Sequence, residues 1–170
     1  ERFNNKYSPT FVVPDGIYPK TGAKIYSLLD PTAKMGKTDD NPNGTVFLLD
    51  DPDTVMRKFR RAVTDSDNRI VHSADKPGIS NLLTIYSTFA GETIAAAEKE
   101  FENSDYATFK TRVGESVVEY FRPIREEYKR LIADKKYLAE VMKKGADKAQ
   151  RTARKTLSKV YRKIGLVERS

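Results

Sequence analysis

The run Lys34-Met35-Gly36-Lys37-Thr38 contains the side chains best suited to bind phosphate. Two lysines lie three positions apart, with a glycine between them and a hydroxyl after them. Glycine lets the backbone approach an anion closely, and each lysine supplies a mobile positive charge. The pattern favours a phosphate-binding loop. Because Gly, Asn, Asp and Pro are frequent in residues 34–44, a mobile surface loop without a ligand is the alternative.

The tripeptide Gly36-Lys37-Thr38 matches only the end of a P-loop motif. That motif requires another glycine five residues before Gly36, and Pro31 occupies this position. No strongly apolar strand leads directly into a helix here either. The spacing therefore argues against a P-loop nucleotide site.

Positive charge is concentrated in residues 121–170, which contain 16 Lys or Arg against 6 Asp or Glu, in a chain of net charge +7. Residues 146–164 predict an amphipathic helix with an apolar stripe and, roughly opposite at about 100° per residue, a basic stripe. The basic stripe consists of Lys148, Arg151, Lys155, Lys159 and Arg162. These residues favour binding to the phosphate backbone of an RNA, although a merely solvated helix face has the same composition.

Prolines and glycines divide residues 1–50 so closely that only loops and short strands fit. We place strands at residues 11–13 and 25–29, and a third strand or a lead-in to a helix at 46–49. From residue 51 the apolar spacing is helical. Helices are expected to begin near Pro52, Pro77, Ile94, Asp105, Asp134 and Ala146. We expect Gly91 and Gly145 to end two of them and Pro123 to kink another.

These elements predict a mainly α protein: a helical bundle over residues 51–170, preceded by a short α/β segment in residues 1–50. Two or three strands are marginal without further strands to pair with. The sequence also begins with Glu1 rather than Met. We therefore expect the chain to be a fragment whose first 50 residues belong to a larger domain.

The composition excludes several classes of site. The chain has no Cys and a single His, which excludes disulfide scaffolds, thiolate zinc sites and Cys nucleophiles and leaves no metal site to predict. No apolar run approaches the roughly 20 residues that span a bilayer. We expect no membrane partner and a cytoplasmic location.

Residues 34–38 resemble the KMSKS motif of the class I aminoacyl-tRNA synthetases. The sequence around the motif resembles the bacterial-type tryptophanyl-tRNA synthetase family in six blocks, at residues 22–31, 48–52, 62–66, 76–83, 122–124 and 145–146. The resemblance covers essentially all 170 residues. It implies that residues 1–50 are the C-terminal part of a Rossmann catalytic domain and that residues 51–170 are a helical anticodon-binding domain.

The resemblance also implies an activity. Enzymes of this family activate tryptophan with ATP and Mg²⁺ and transfer it to tRNA(Trp). Lys34 and Lys37 would be catalytic, stabilising negative charge on the ATP phosphates. The implied ATP site consists of Ile25, Lys34, Met35, Gly36, Lys37 and Thr38, with Ile25 contacting adenine through its backbone. Gly36 and Thr38 depart from the family pattern, which has Ser at both positions.

The HIGH-type ATP motif and the tryptophan pocket of this family belong to an N-terminal half that this sequence does not include. We therefore expect the chain alone not to form tryptophanyl-adenylate at a useful rate. We also expect the full-length enzyme to be a homodimer held largely by that half. Two alternatives are a stand-alone helical RNA-binding module, which needs no ATP-phosphate loop, and a helical scaffold that binds neither ATP nor RNA.

Overall fold

The computed structural model describes residues 1–19 and 22–167. These residues form six α-helices, α1 (Arg2–Tyr7), α2 (Pro52–Arg60), α3 (Pro77–Ala90), α4 (Ile94–Glu100), α5 (Tyr106–Ala133) and α6 (Lys135–Ile164). A single 3-10 turn lies at Pro42–Gly44. The mainly α class is confirmed. No helix in the described ranges combines the length and apolar character needed to cross a bilayer.

Helix α2 begins, and helix α3 begins and ends, where the sequence predicts. The Asp51 side chain caps α2 by accepting a hydrogen bond from the Thr54 backbone N–H at 2.9 Å, and Pro52 follows where its missing N–H costs nothing. Helix α3 likewise starts at a proline and ends at Gly91, whose φ of 74° is the left-handed conformation that glycine adopts without strain.

The prediction of strands in residues 1–50 is wrong for the described part of the chain. Residues 11–13 form no ladder, and residues 25–29 contribute only one isolated antiparallel bridge, between Tyr26 and Lys34. Residues 46–49 form no strand either and agree with the other alternative given for them, a lead-in to a helix, since α2 begins at Pro52. An extended segment becomes a strand only by pairing its backbone with a neighbour over several residues. The apolar residues that suggested strands therefore lie in irregular backbone.

The helix break at Gly145 is also wrong. Helix α6 runs without interruption through Gly145 and ends at Gly165, whose φ is 74°. One glycine costs only about 1 kcal/mol in a helix interior, which strong helix formers on both sides offset.

The predicted cap at Asp134 is confirmed, since its side chain accepts a hydrogen bond from Tyr137 N at 2.9 Å. Helix α5 continues through Pro123, and the kink there stays a prediction.

The chain divides into two compact units. The terminal unit comprises Glu1–Ile17 and Lys129–Ser170, and the core unit comprises Tyr18–Tyr128, so α5 has residues in both. All the residues of the buried apolar cluster belong to the core unit, among them Leu28, Phe59, Leu82, Phe109 and Val113. The domain boundary predicted at residue 50 lies inside the core unit and stays a prediction.

A polar cluster fixes the start of α5 in the core unit. The Lys76 side chain is 4% exposed, and its ammonium donates hydrogen bonds to Asp65, to Asp67 and, at 3.2 Å, to the Tyr106 hydroxyl. Burial alone would lower the pKa of Lys76, but the hydrogen bonds to Asp67 and Asp65 raise it overall. Burial, together with the hydrogen bond to Asp65, raises the pKa of Tyr106 to about 12.

The terminal unit has its own short-range contacts. In α1 and the segment after it, the Phe3 ring lies 4.9 Å from the Tyr7 ring and 5.1 Å from the Phe11 ring, measured between centroids. The Asn4 side chain accepts a hydrogen bond from Phe11 N at 2.9 Å and donates one to Phe11 O at 2.7 Å. Helix α1 is absent from the sequence prediction, because its six residues are too short to show an apolar period.

Candidate functional site

The segment that carries the two lysines follows a short hairpin-like turn of the backbone. Met35 N donates a hydrogen bond to Ile25 O at 3.0 Å, and Ser27 N donates one to Ala33 O at 2.9 Å. These two bonds and the Tyr26–Lys34 bridge fix where the chain returns after the turn. Residues 24–35, called the hairpin below, therefore determine the direction in which the loop of residues 34–38 begins.

Helix α3 holds the hairpin through one side chain. Asn81 accepts a hydrogen bond from Tyr26 N at 2.9 Å and donates one to Tyr26 O at 2.9 Å. The amide thus satisfies both backbone polar groups of one residue, as a neighbouring strand would. Asn81 is 5% exposed and lies in the apolar run between Ile79 and Leu82, so a buried hydrogen-bonding group positions the hairpin.

The other side of the loop is held at Gly36. The Gly36 carbonyl accepts hydrogen bonds from the Thr45 hydroxyl at 2.9 Å and from Asp39 N at 3.1 Å. The segment containing Thr45 packs tightly on the hairpin, because a Cβ at Gly44 would lie 2.4 Å from the Ser27 hydroxyl oxygen. A side chain at position 44 would force Ser27 to shift, so glycine favours the close approach that brings Thr45 within reach of the loop.

A buried ion pair on α2 fixes the segment after the loop. The Lys58 side chain is 5% exposed and forms an ion pair with Asp50 at 2.6 Å. Its ammonium also donates a hydrogen bond to Thr45 O at 2.8 Å and lies 4.8 Å from the centre of the Phe47 ring. A lysine is rarely buried without such partners. Lys58 therefore links α2 to the residue that contacts Gly36.

The loop presents two unpaired cations on this fixed base. Lys34, Lys37 and Thr38 are exposed, and within residues 1–19 and 22–167 neither ammonium forms a hydrogen bond or an ion pair. Met35 and Gly36 are half-buried, and Met35 packs against the apolar cluster. The arrangement presents two free positive charges from a restrained backbone, which suits the binding of a polyanion such as a phosphate chain.

Ile25 lies beside Met35 in the hairpin. Its side chain is half-buried against the apolar cluster, and its carbonyl already accepts the hydrogen bond from Met35 N. All six residues of the expected ATP site therefore belong to one continuous structure, the hairpin and its loop. Their roles in ATP binding stay predictions.

A cleft of about 640 Å³ with mixed polar and apolar walls lies between the hairpin and α3. Its walls include Lys24, Tyr26, Thr32, His72 and Thr84. The Lys24 ammonium lies 4.6 Å from the centre of the Tyr26 ring, a cation–π contact that orients both side chains. The predicted lysines Lys34 and Lys37 do not line this cleft.

In the terminal unit, α6 carries the five cations of the predicted RNA-binding face. Lys148, Arg151, Lys155, Lys159 and Arg162 are all exposed, and none of them forms an ion pair with a described residue. The opposite apolar stripe does not form a core, since no residue of α6 is buried. Another lysine of this helix, Lys163, binds the N-terminal segment instead, donating to Pro9 O at 2.9 Å.

The residues that position the loop are not among those predicted from the sequence. Four of them matter here: Asn81, Thr45, Lys58 and Asp50. An amide inside the apolar run of α3 is a signal that could have pointed to Asn81, because a buried amide needs partners. Nothing local marks Thr45 or the Lys58–Asp50 pair, because their partners are fixed only by the fold.

The described residues contain no group of three or more His, Cys, Asp or Glu side chains placed to hold a metal ion. The two aspartates after the loop, Asp39 and Asp40, are exposed, and Asp39 accepts a hydrogen bond from Asn41 N at 3.2 Å. A divalent cation at this loop would therefore need oxygen ligands from a bound phosphate.

The sequence profile of the family described as tRNA synthetases class I (W and Y) matches residues 1–122. The chain belongs to this family. The match includes the hairpin, the loop and the helices that hold them, and it ends within α5.

Individual relatives extend the similarity to the C-terminal helix. The chain is 46% identical to the tryptophan–tRNA ligase of Clostridium perfringens over 168 residues, which is 99% of this chain and 51% of that protein. It is 45% identical to the tryptophan–tRNA ligase of Clostridium tetani over 166 residues, which is 98% of this chain and 49% of that protein. The chain thus spans about half the length of these relatives.

Solved structures give the same result for the fold. Tryptophanyl-tRNA synthetase from Mycoplasma pneumoniae matches with a TM-score of 0.83 at 30% identity, over 98% of this chain and 50% of that chain. The Campylobacter jejuni enzyme complexed with ADP and tryptophan matches with a TM-score of 0.66 at 26% identity, over 97% of this chain and 50% of that chain.

Proposed function

We propose that the chain is the C-terminal half of a tryptophan–tRNA ligase and supplies its ATP-phosphate loop and its tRNA-binding helices. The observation that carries this proposal is the loop with two free lysines, Lys34 and Lys37, on a base fixed by Asn81 and Thr45. Membership of the class I family supports the same reaction class. Similarity to tryptophan–tRNA ligases over nearly the whole chain favours tryptophan over tyrosine.

The two lysines would act on the first step of the reaction. The carboxylate of tryptophan attacks the α-phosphate of ATP, tryptophanyl-adenylate forms, and pyrophosphate leaves with increasing negative charge. Lys34 and Lys37 lie on a restrained loop, so their ammonium groups can stabilise that charge in the transition state. One well-placed cation of this kind contributes about 2–4 kcal/mol to catalysis.

The remaining loop residues would bind the rest of ATP. Ile25 and Met35 lie side by side at the base of the loop, joined by the bond from Met35 N to Ile25 O, and the adenine ring is assigned to this part of the hairpin. Thr38 offers an exposed hydroxyl to the phosphates. Gly36 has no side chain to contribute, and a Cβ there would have only Lys34 O nearby, at 3.8 Å. A serine at this position is therefore sterically permitted.

Mg²⁺ fits this site only together with ATP. The described residues contain no carboxylate cluster to hold the ion, whereas magnesium is commonly bound through substrate phosphates with few protein ligands. Bound in that way, it would neutralise charge on the phosphate oxygens. Lys34 and Lys37 would share this task from the protein side.

Transfer RNA binding is assigned to the helices, with the basic face of α6 contacting the phosphate backbone. Its five cations are exposed and free of ion pairs with described residues, so they need not break contacts to bind a polyanion. Phosphate contacts of this kind give an affinity that falls steeply with salt. The proposed partner is tRNA(Trp), and the proposed location is the cytoplasm, where aminoacylation supplies translation.

The proposal also includes an incomplete active site. The relatives are about twice as long as this chain, and the tryptophan pocket and the second ATP motif are assigned to the half that it does not cover. The chain alone is therefore proposed to bind tRNA without forming adenylate. Dimer formation is assigned to the same half of the relatives, which this chain does not cover. A stand-alone RNA-binding module is the second candidate, favoured by the exposed cations of α6.

A chimeric enzyme tests the proposal directly. This chain would replace the matching half of the Clostridium perfringens tryptophan–tRNA ligase, which it covers over 51% of its length. We expect the chimera to catalyse tryptophan-dependent ATP–pyrophosphate exchange and to charge tRNA(Trp). The two halves assayed separately should show neither activity.

Two outcomes contradict the proposal. A folded chimera that lacks exchange activity would favour the RNA-binding module, provided that the chain still binds tRNA. Exchange by the isolated chain would show that its active site is complete, against the proposed division. Circular dichroism and size-exclusion chromatography of the chimera, compared with the natural Clostridium perfringens enzyme, establish that it is folded.

A further inference from the structure

We propose that Thr45 is a positioning residue for the phosphate loop and couples the geometry of that loop to α2. The inference rests on the proposed function of Lys34 and Lys37. It concerns a different residue, which contacts neither lysine side chain and binds the backbone between them. The three atoms that carry it are the Gly36 carbonyl oxygen, the Thr45 hydroxyl and the Lys58 ammonium.

The hydrogen bonds form a continuous chain from α2 to the loop. The Lys58 ammonium donates to the Thr45 carbonyl at 2.8 Å, and the Thr45 hydroxyl donates to the Gly36 carbonyl at 2.9 Å. Thr45 therefore takes part in both bonds, the first through its carbonyl oxygen and the second through its hydroxyl. Thr45 is 5% exposed and Lys58 is 4% exposed, so water does not readily replace either bond.

Gly36 is the point of the loop at which such a bond has most effect. It lies between the two lysines and has no side chain that could restrain its backbone. Apart from the bond from Asp39 N, which is local, the bond from Thr45 is the restraint on its carbonyl that comes from another part of the fold. Losing that bond would let the Lys37 ammonium move relative to Lys34, which the hairpin holds in place.

The other end of this series of hydrogen bonds is Lys58, which lies on α2. Lys58 is held by Asp50 at 2.6 Å and by the Phe47 ring, so its ammonium has little freedom. A movement of α2 is therefore transmitted to Thr45 and then to Gly36. Helices of the core unit thereby acquire a physical route by which they influence the position of the catalytic lysines.

Carbonyl NMR shifts of the complete 170-residue chain test the structural part of the proposal. Thr45→Val removes the hydroxyl with little change of shape, and Thr45→Ser keeps it. Thr111→Val is the matched control, because that hydroxyl bonds only to Ala107 O within α5. We expect the Gly36 carbonyl resonance to move upfield in Thr45→Val alone, since it loses a hydrogen bond. An unchanged Gly36 resonance overturns the proposal.

Steady-state kinetics of the chimera test the functional part. We expect Thr45→Val to lower kcat for ATP–pyrophosphate exchange about tenfold with little change in the KM for ATP, because misplaced lysines lose transition-state contacts. Thr45→Ser should restore kcat to within about twofold, and Thr111→Val should leave it unchanged. An undiminished kcat in Thr45→Val overturns the inference, as does a loss that serine does not rescue.

The lysine variants separate this inference from the proposed function. If Lys34→Ala and Lys37→Ala leave the exchange activity of the chimera unchanged, the assignment of the loop as the ATP-phosphate site fails. Thr45 then has no catalytic group to position. If they lower it while Thr45→Val does not, the loop assignment stands and the inference about Thr45 is overturned.

Discussion

The loop region of residues 24–50 and helix α6 are stabilised in opposite ways. The loop region has almost no regular backbone, yet buried polar side chains, namely Asn81, Thr45 and Lys58, hold it at defined points. Helix α6 is regular over 30 residues and buries no side chain. Regular secondary structure and a fixed position in the fold are therefore separate properties of this chain.

The same difference matches the two proposed tasks. Catalysis at a phosphate requires charges that are placed within a fraction of an ångström, which tertiary hydrogen bonds provide. Binding to the backbone of a long RNA requires mainly a field of the right sign, which an exposed basic helix face provides. We therefore expect substitutions in the two regions to affect different measurements.

The largest effect on stability is expected from Asp50→Ala. This change leaves the Lys58 ammonium buried without its carboxylate, and breaking a buried ion pair from one side costs about 3–5 kcal/mol. The free energy of unfolding, obtained from urea titration, measures the loss. Glu119→Ala is the control, because its pair with Arg122 is exposed and contributes about 0.5 kcal/mol or less. Equal losses in the two variants would contradict the claimed burial of the Lys58 pair.

A smaller loss is expected from Asn81→Ala. The variant leaves the half-buried Tyr26 N and Tyr26 O without their partner, which costs about 1–2 kcal/mol. Gln150→Ala on α6 should change stability by no more than about 0.5 kcal/mol, since that residue is exposed. Urea titration measures the free energy of unfolding of both variants. A Gln150→Ala variant that is less stable than Asn81→Ala would contradict this prediction.

The core unit should also lose stability in acid. The hydrogen bond from Lys76 lowers the pKa of Asp67 below its ordinary value of 3.8, and the bonds from Tyr106 and Lys76 outweigh burial to lower that of Asp65. Carboxylates with depressed pKa values stabilise the fold above their unfolded pKa, and this stability is lost as the pH falls through the folded pKa. The urea concentration at the midpoint of unfolding should therefore decrease as the pH is lowered below about 4. The Asp67→Asn variant should show a weaker pH dependence, and an equally steep one would exclude this cluster as the cause.

The smallest stability effect belongs to α6. Lys155→Ala combined with Lys159→Ala should change the free energy of unfolding by less than about 0.5 kcal/mol, because both side chains are exposed. The same variant should bind tRNA(Trp) more weakly, with the log–log salt slope reduced by about 1.5. Fluorescence anisotropy at several salt concentrations measures both quantities. An unchanged slope would remove α6 from the RNA-binding surface.

The sequence was informative wherever structure follows from neighbouring residues. Asp51 and Pro52 identified the start of α2, and Gly91 the end of α3, because caps act over a few positions. The family resemblance of residues 34–38 identified the loop for the same reason. Each of these features can be recognised from a short segment of the chain.

Features that depend on distant residues could not be predicted. The hairpin has its shape because Asn81, 55 positions away, bonds to Tyr26, so the apolar residues there suggested a strand instead. Gly145 suggested a helix end because a glycine taken by itself is a helix-ending signal. The strong helix formers on either side of it outweigh this signal. Thr45 and Lys58 acquire their roles only when α2 packs beside the loop.

The central claim is that Lys34 and Lys37 stabilise charge on the ATP phosphates. ATP–pyrophosphate exchange by the chimera tests it most directly, with Lys34→Ala and Lys37→Ala compared with Lys155→Ala on α6. We predict that each loop variant lowers kcat by about 10²–10³, which is the effect of removing one transition-state contact, and that Lys155→Ala leaves exchange unchanged. Undiminished exchange in a folded variant that lacks both loop lysines would contradict the account.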